Sequence, residues 1–373
     1  MSEDSASFQR RVAQLQATLS PAHGILLSKP TDLEYLIGFE FLTPEEREAL
    51  LLVTSSGLHV IHSSFSPLPD TIPYQKYPGT YPNQVCKHLI QILTAQPALR
   101  EIFVDASTLF LEEYQAIEQA LKGMSLGIKL ATLDREKIWS LRRVKDELEI
   151  GLLKKSAHIA AQSFKKVRSQ LQVGMTEKQV CEMIEAEFRS QGTKKPAFPT
   201  IVAFGANSTL PHYQPGDVQL QDNMPVLIDM GAKFERYCSD MTRTFWFGNQ
   251  PEAKFQEIEQ IVKDAYQAAL GKLGQFFGSQ APGNSTLQAK DLDAAARGVI
   301  EQADQGEFFI HTTGHGVGLD IHEPPSLNWH NEFALAAGMA ITIEPGIYLP
   351  DLFGYRHENT VLLTPTGPLE LTL

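Results

Sequence analysis

The chain has 373 residues, 43% hydrophobic and 20% charged, the composition of a globular protein that is long for a single hydrophobic core. Its net charge of -12 and the lack of any Lys/Arg block argue against a nucleic-acid partner, and no run approaches the ~18 apolar residues of a membrane span. The three cysteines (Cys86, Cys181, Cys238) are far apart, and the opening MSEDSASFQRR has no apolar signal core, so a cytoplasmic protein without disulfides is expected.

In chain order, Phe8 to Leu19 reads as a helix and Gly24 to Ser28 as a short apolar strand. Ala49–Val53 and Leu58–Ile61 form a hairpin around Ser-Ser-Gly. A helix over Asn83–Leu93, a strand over Glu101–Asp105 and a helix over Leu109–Leu121 complete a small α/β unit, residues 1–135. A second domain, residues 136–373, then opens on one long helix, Glu136 to Leu171, with apolar residues spaced by three and four. Thr176 caps the next helix, Glu177–Arg189, which Gly192 ends. Strands follow at Phe198–Phe204, Pro225–Met230 and Cys238–Phe247, then helices at Pro251–Leu273 and Leu287–Ala303. The last strands are Phe308–Thr312, Met339–Glu344 and Arg356–Leu363. This order predicts an α+β domain on a mainly antiparallel sheet.

Five residues of this second part sit in apolar or glycine-rich settings: Asp229 in Val-Leu-Ile-Asp-Met-Gly, Asp240 in Cys-Ser-Asp-Met-Thr, His315 in Gly-His-Gly, Glu344 in Ile-Thr-Ile-Glu-Pro-Gly and Glu358 in Arg-His-Glu-Asn-Thr-Val. Each has an ordinary structural explanation alone: Asp229 as a strand-end carboxylate capping a turn, Glu358 as a salt-bridge partner of Arg356. Together, four strand-borne carboxylates and a glycine-flanked histidine point to cations, because an apolar setting penalises unpaired charge. Four carboxylates balance two divalent ions, and mostly oxygen ligands with one imidazole suit Mn²⁺, and also Co²⁺, Fe²⁺ or Zn²⁺. Among the other histidines, His357 reads as structural. His322, between Gly318 and Pro324-Pro325, reads as a loop residue able to donate to a developing oxyanion.

These segments resemble the pita-bread metallopeptidases, which include aminopeptidase P, prolidase, methionine aminopeptidase and creatinase. The stretches that carry the resemblance are Arg142–Ile150, Asn207–Pro215, Asp229–Thr244, His311–Pro325 and Glu344–Tyr348. The resemblance implies a pita-bread catalytic domain behind a smaller creatinase-like α/β domain that limits substrate length and supports a homodimer. It implies two metals, with Asp229 on one, Asp240 and Glu358 bridging, and His315 and Glu344 completing the other. Glu344 would also shuttle a proton from a metal-bridging hydroxide. His212 and His322 would contact the substrate and stabilise the tetrahedral intermediate, with His311, Arg356, Thr242 and Tyr348 as substrate-side or supporting residues. The implied activity is removal of an N-terminal residue preceding proline, as an Xaa-Pro aminopeptidase or dipeptidase acting on proline-containing peptides. The alternatives are an inactive pita-bread module that binds proteins and a creatinase-like hydrolase. His357 and Asn359 depart from the family's usual neighbours of the last glutamate; on a strand they would point away from the ligand face. The Leu36–Glu46 segment is expected as a loop near the site.

Overall fold

The computed structural model describes residues 3–40, 48–70, 72–79, 83–124, 127–278 and 286–373. The chain divides into two units, Met1–Arg142 and Arg143–Leu373.

The first unit is built on a six-stranded sheet, in the order Gln75–Gly79, Gly57–Ser63, Ala49–Thr54, His23–Leu27, Glu101–Val104, Lys129–Thr132. The expected hairpin is present, pairing Ala49–Thr54 with Gly57–Ser63 around Ser55 and Ser56. Leu26, Leu52 and Ile102 of the sheet pack against Leu89, Ile92 and Ile117 of the helices Asn83–Thr94 and Leu111–Gly123. The opening helix is Glu3–Ala17, earlier than the apolar spacing alone indicates. The helix Pro30–Ile37 was not foreseen, although Pro30 stands in its first turn, where no N–H is needed, and Gly38 closes it at φ 70°. The strands Gln75–Gly79 and Lys129–Thr132 also went unread, being short and largely polar. Residues 41–46 of the Leu36–Glu46 segment lie outside the described residues. Arg135 and Arg142 both bond Asp32, holding the helix Glu136–Arg143 to this unit.

The long helix expected over Glu136–Leu171 is two helices, Glu136–Arg143 and Glu147–Arg168. Asp146 forces the restart: its carboxylate accepts from the Glu149 amide (2.9 Å), and Glu149 reaches back to the Asp146 amide (3.0 Å). The residues between do strand work, with Val144 bridging Met339 and the Lys145 amide donating to the Gly338 carbonyl.

Every described strand pairing in the second unit is antiparallel, as expected. One sheet runs Met241–Phe247, Met224–Met230, Ile201–Phe204. Its outer face packs Val202, Val226 and Ile228 against Ile159, Phe164 and Ile184 of the helices Glu147–Arg168 and Glu177–Ser190. A five-stranded sheet runs Glu323–Leu327, Gly314–Gly316, Ala340–Ile343, Asn359–Thr364, Gly367–Glu370. Its outer face packs Ile341, Ile343 and Val361 against Ile258, Val262 and Ile300 of the helices Ala253–Gly278 and Ala289–Gln302. On the other face of the first of these two sheets, Asp229 and Thr242 share the surface with a small apolar cluster of Ile201, Ala203 and Leu227.

Three expected strands differ. Phe308–Thr312 is not a strand: the carbonyls of Phe309 and His311 are taken by the Arg297 guanidinium instead of a ladder partner. Cys238–Phe247 is interrupted at Ser239–Asp240, and Arg356–Leu363 is interrupted at His357–Glu358. Both interruptions carry an expected ligand.

Candidate metal centre

Only Asp229 of the four carboxylates lies within a strand, Met224–Met230. Asp240 immediately precedes Met241–Phe247, Glu344 immediately follows Ala340–Ile343, and Glu358 immediately precedes Asn359–Thr364. The expectation of four strand-borne carboxylates is corrected accordingly. A ligand just off a strand end keeps the strand's rigidity while its backbone is free to aim the side chain. The Asp240 amide donates to Thr360 Oγ1 (3.0 Å), and that hydroxyl donates to the Asp240 carbonyl (2.9 Å). The Glu344 amide donates to the Thr313 carbonyl, and the Glu358 amide to the Thr242 carbonyl.

The five side chains, Asp229, Asp240, His315, Glu344 and Glu358, line one cavity of about 880 Å³. Asp240, His315 and Glu358 offer ligand atoms all within 4.8 Å of one another. His315 Nε2 stands 3.3 Å from Glu344 and 3.6 Å from Asp240. Its Nδ1 lies 3.0 Å from the Gly316 carbonyl, an arrangement that leaves Nε2 for the cluster. Burial, with Glu358, Asp229 and Glu344 close by, pushes the Asp240 carboxyl well above the ordinary carboxylate range. Burial, with Glu344 and Asp229 adjacent, does the same to Glu358, and burial raises Glu344. Burial lowers His315, so its imidazole is held neutral, the ligand form.

The donor set fits divalent cations. Four carboxylates converge while Arg356 is the cation among the residues lining the cavity, and Asp229 Oδ1 is buried with no hydrogen-bond partner. An acceptor-only oxygen without a donor, beside acids that repel one another, is what a bound cation relieves.

Arg356 is not the partner of Glu358. Its guanidinium donates to Asp229 Oδ2 (2.6 Å), Thr242 Oγ1 (2.9 Å) and the Tyr348 hydroxyl (2.7 Å). Thr242 in turn donates to Glu358 Oε2 at 2.6 Å. Burial opposes the charge on Arg356, but Tyr348, Asp229, Glu358 and Glu344 outweigh it and hold the guanidinium ionised. Burial also pushes the Tyr348 hydroxyl up to about 12, so it stays protonated, 2.9 Å from His311 Nε2. Residues expected around the metals thus form one chain of contacts: Asp229, Arg356, Tyr348 and His311 on one branch, Thr242 and Glu358 on the other.

His212 and His322 line the same cavity and are exposed to it. The His322 ring lies edge-on to His315, centroids 4.4 Å apart, and burial with His315 beside it lowers its basicity. Pro324-Pro325, read as stiffening a loop, lies in the edge strand Glu323–Leu327, where proline's missing N–H does no harm. Glu323 is paired with Lys145 at 3.1 Å. His357 and Asn359 do turn away from the ligand face. Asn359 bonds Tyr266, Glu370 and Arg243, while His357 packs edge-on against Tyr266 and is lowered to about 4 by burial and Arg243.

Several supporting residues went unread in the sequence. Thr342 Oγ1 accepts the His315 amide (3.1 Å) and donates to Glu344 (3.2 Å), and Thr360 fixes Asp240 as above. The signal was available for Thr342, which stands two residues before Glu344, the spacing that brings neighbouring side chains to one side of an extended chain. Asp293 is buried on Ala289–Gln302 and binds Arg297 and Thr313, bracing the segment of His311. It sits in a helical pattern that reads as solvated.

The profile of metallopeptidase family M24 matches residues 151–365. A peptidase from Staphylococcus saprophyticus is 35% identical over 93% of this chain and 93% of its own length. An Xaa-Pro dipeptidase from Pyrococcus furiosus is 40% identical over 63% of this chain and 64% of its own. The solved X-Pro aminopeptidase of Thermotoga maritima superposes with a TM-score of 0.83 at 28% identity, covering 98% of this chain and 97% of that one. The architecture is α+β, a pita-bread domain behind a smaller α/β domain, and the residues that converge on the cavity lie within the matched stretch. The chain belongs to metallopeptidase family M24.

Proposed function

We propose that this protein is a dinuclear metallo-exopeptidase that hydrolyses the bond between an N-terminal residue and a following proline. The observation that carries the reading is the convergence of Asp229, Asp240, His315, Glu344 and Glu358 on one cavity, with a buried, unpartnered Asp229 oxygen among them. The proline preference rests on the similarity to an Xaa-Pro dipeptidase and an X-Pro aminopeptidase. It also has a chemical rationale, because the bond before proline is a tertiary amide with no N–H for a general peptidase to grip.

Asp229, Asp240 and Glu358 would hold one ion, with Asp240 and Glu358 shared, and His315 and Glu344 would complete the second; Mn²⁺ is the best match to this donor set. When bound, such ions polarise the scissile carbonyl and lower the pKa of water. Glu344 would take a proton from the attacking water and pass it to the proline nitrogen as the C–N bond breaks. His322 and His212 donate to the carbonyl oxygen as charge develops. Arg356 and Tyr348 keep Asp229 and His311 in place. Phe198, Pro199, Ile201 and Pro211 give the cavity an apolar wall against which the residue before proline, or the proline ring, can pack.

The test compares Xaa-Pro, Xaa-Pro-Xaa and longer peptides with Xaa-Ala controls, before and after chelation. Hydrolysis lost on metal removal and restored by Mn²⁺ or Co²⁺, on proline substrates only, is the expected result. The substrate lengths accepted then separate dipeptidase from aminopeptidase. Full activity in a verified metal-free sample, or equal rates on the Xaa-Ala controls, would falsify the proposal. Two bound metals without hydrolysis would favour the binding-module alternative.

A further inference from the structure

Glu177 is fully buried at the first position of the helix Glu177–Ser190, remote in sequence from every residue assigned above. A carboxylate there is favoured by the helix dipole and usually serves its own helix. This one directs each of its described bonds elsewhere. Its Oε1 accepts from the Phe204 amide (2.8 Å) and Asn207 Nδ2 (2.8 Å). Its Oε2 accepts from the Tyr213 hydroxyl (2.8 Å) and the Gly216 amide (2.9 Å). Asn207 Nδ2 also lies 2.8 Å from the Tyr213 hydroxyl, tying the two halves of the set together.

These donors bracket residues 204–216, the segment that brings His212 and Tyr213 to the cavity wall. One carboxylate therefore closes both ends of the loop. The middle is fixed separately, where the Gly354 amide donates to Ser208 Oγ at 2.9 Å. The His212 side chain itself is exposed to the cavity, so its place depends on the backbone on either side. Burying a charge with only N–H and O–H donors around it is costly unless each donor is well aimed, and that cost enforces a single loop geometry.

We propose that Glu177 is a positioning residue for His212, holding the loop so that the imidazole faces the scissile carbonyl. The inference rests on the peptidase reading above, in which His212 contacts the substrate. A carboxylate is required because every partner donates. In Glu177→Gln the amide nitrogen is itself a donor; the Tyr213 hydroxyl can turn to accept from it, but a backbone N–H cannot. At least one of the Phe204 and Gly216 amides then loses its acceptor, and the loop relaxes with little change in volume.

The experiment is a double-mutant cycle with His212→Ala on the Mn²⁺-loaded full-length protein, with an Xaa-Pro-Xaa substrate. Glu177→Gln is expected to lower kcat/KM by ~10–100-fold, the usual effect of losing a residue that orients a site group. Bound metal should be unchanged, while hydrogen exchange at the Phe204 and Gly216 amides speeds up. In the His212→Ala background the same substitution should cost less than about threefold, because coupled residues lose their effect together. Equal losses in both backgrounds, or no loss in either, would overturn the inference, since a general structural defect acts whether or not His212 is present. Should Glu177→Gln fold poorly, Tyr213→Phe removes one donor and is expected to show a smaller loss with the same dependence on His212; a loss independent of His212 again counts against the proposal. A wild-type protein inactive on every proline peptide would instead refute the peptidase reading itself.

Discussion

At Asp229 the two carboxylate oxygens have different company: Oδ2 accepts from Arg356 at 2.6 Å, and Oδ1 is buried with no partner. Asp240 and Glu358 group with His315, their ligand atoms within 4.8 Å of one another, and burial together with the neighbouring carboxylates raises both acids. If Asp240 and Glu358 are shared between two ions, Asp240→Ala or Glu358→Ala releases both metals, whereas Asp229→Ala releases mainly one. Elemental analysis of each purified variant is the check, and two tightly held metals in Asp240→Ala would contradict the assignment. His322 has the opposite expectation. Its ring faces His315 across 4.4 Å and is exposed to the cavity, so His322→Ala should retain metal and melting temperature. Loss of one oxyanion donor then lowers kcat by ~10²–10³. Metal lost along with activity would make it a ligand; an unchanged kcat would make it a loop anchor.

At the scale of elements, the proposed ligands occupy strand ends and interruptions more than strand interiors. Their candidacy was legible because five such residues together, each with an ordinary explanation alone, are hard to account for as core or surface. Their backbone setting was not. Cys238–Phe247 and Arg356–Leu363 read as unbroken strands because the apolar pattern runs through Asp240 and Glu358, and the breaks arise from long-range bonds to Thr360 and Thr242. Phe308–Thr312 failed for the same reason, with Arg297 supplying the partner. The helix break at Asp146 was readable in principle, since Asp146 and Glu149 form a capping box in the sequence. Packing at Gly314 offers a test at this scale: a Cβ there would collide with the Thr342 carbonyl on the neighbouring strand. Gly314→Ala should destabilise by about 1–3 kcal/mol, as overpacking does. It should also weaken metal binding, because Thr342 holds both His315 and Glu344. A denaturation midpoint and metal content equal to wild type would show that the strands can part without moving the ligands.

For the molecule as a whole, the acidic cluster links protons, metal and stability. Asp240, Glu344 and Glu358 are raised in the folded, metal-free protein above their unfolded values. A raised carboxyl binds more protons when folded, so the stability it confers is present below the unfolded pKa and is lost as pH rises through the folded one. The metal-free protein should therefore lose stability as pH climbs out of the ordinary carboxylate range. Bound cations displace those protons, so the gain in melting temperature on adding Mn²⁺ should be larger near pH ~7.5 than near pH ~5.5. A gain that is flat with pH, or larger in acid, would locate the bound metal elsewhere. The division between legible and illegible is wide here too. Antiparallel pairing in the second unit followed from element order, whereas the short polar strands and the helix Pro30–Ile37 of the first had too few apolar positions to show a period.

The acids that meet at the cavity are dispersed from Asp229 to Glu358 along the chain, so an unfolded chain offers a cation no comparable pocket. A ligand that binds only the folded form stabilises it by mass action, about 2.7 kcal/mol at a free concentration one hundred times its dissociation constant. The supply of divalent metal around the protein would then govern how long each molecule survives surveillance by cellular proteases, quite apart from how fast it turns over peptides. Starved of metal, such a peptidase would be not only idle but also, being less stable, easier prey for other proteases.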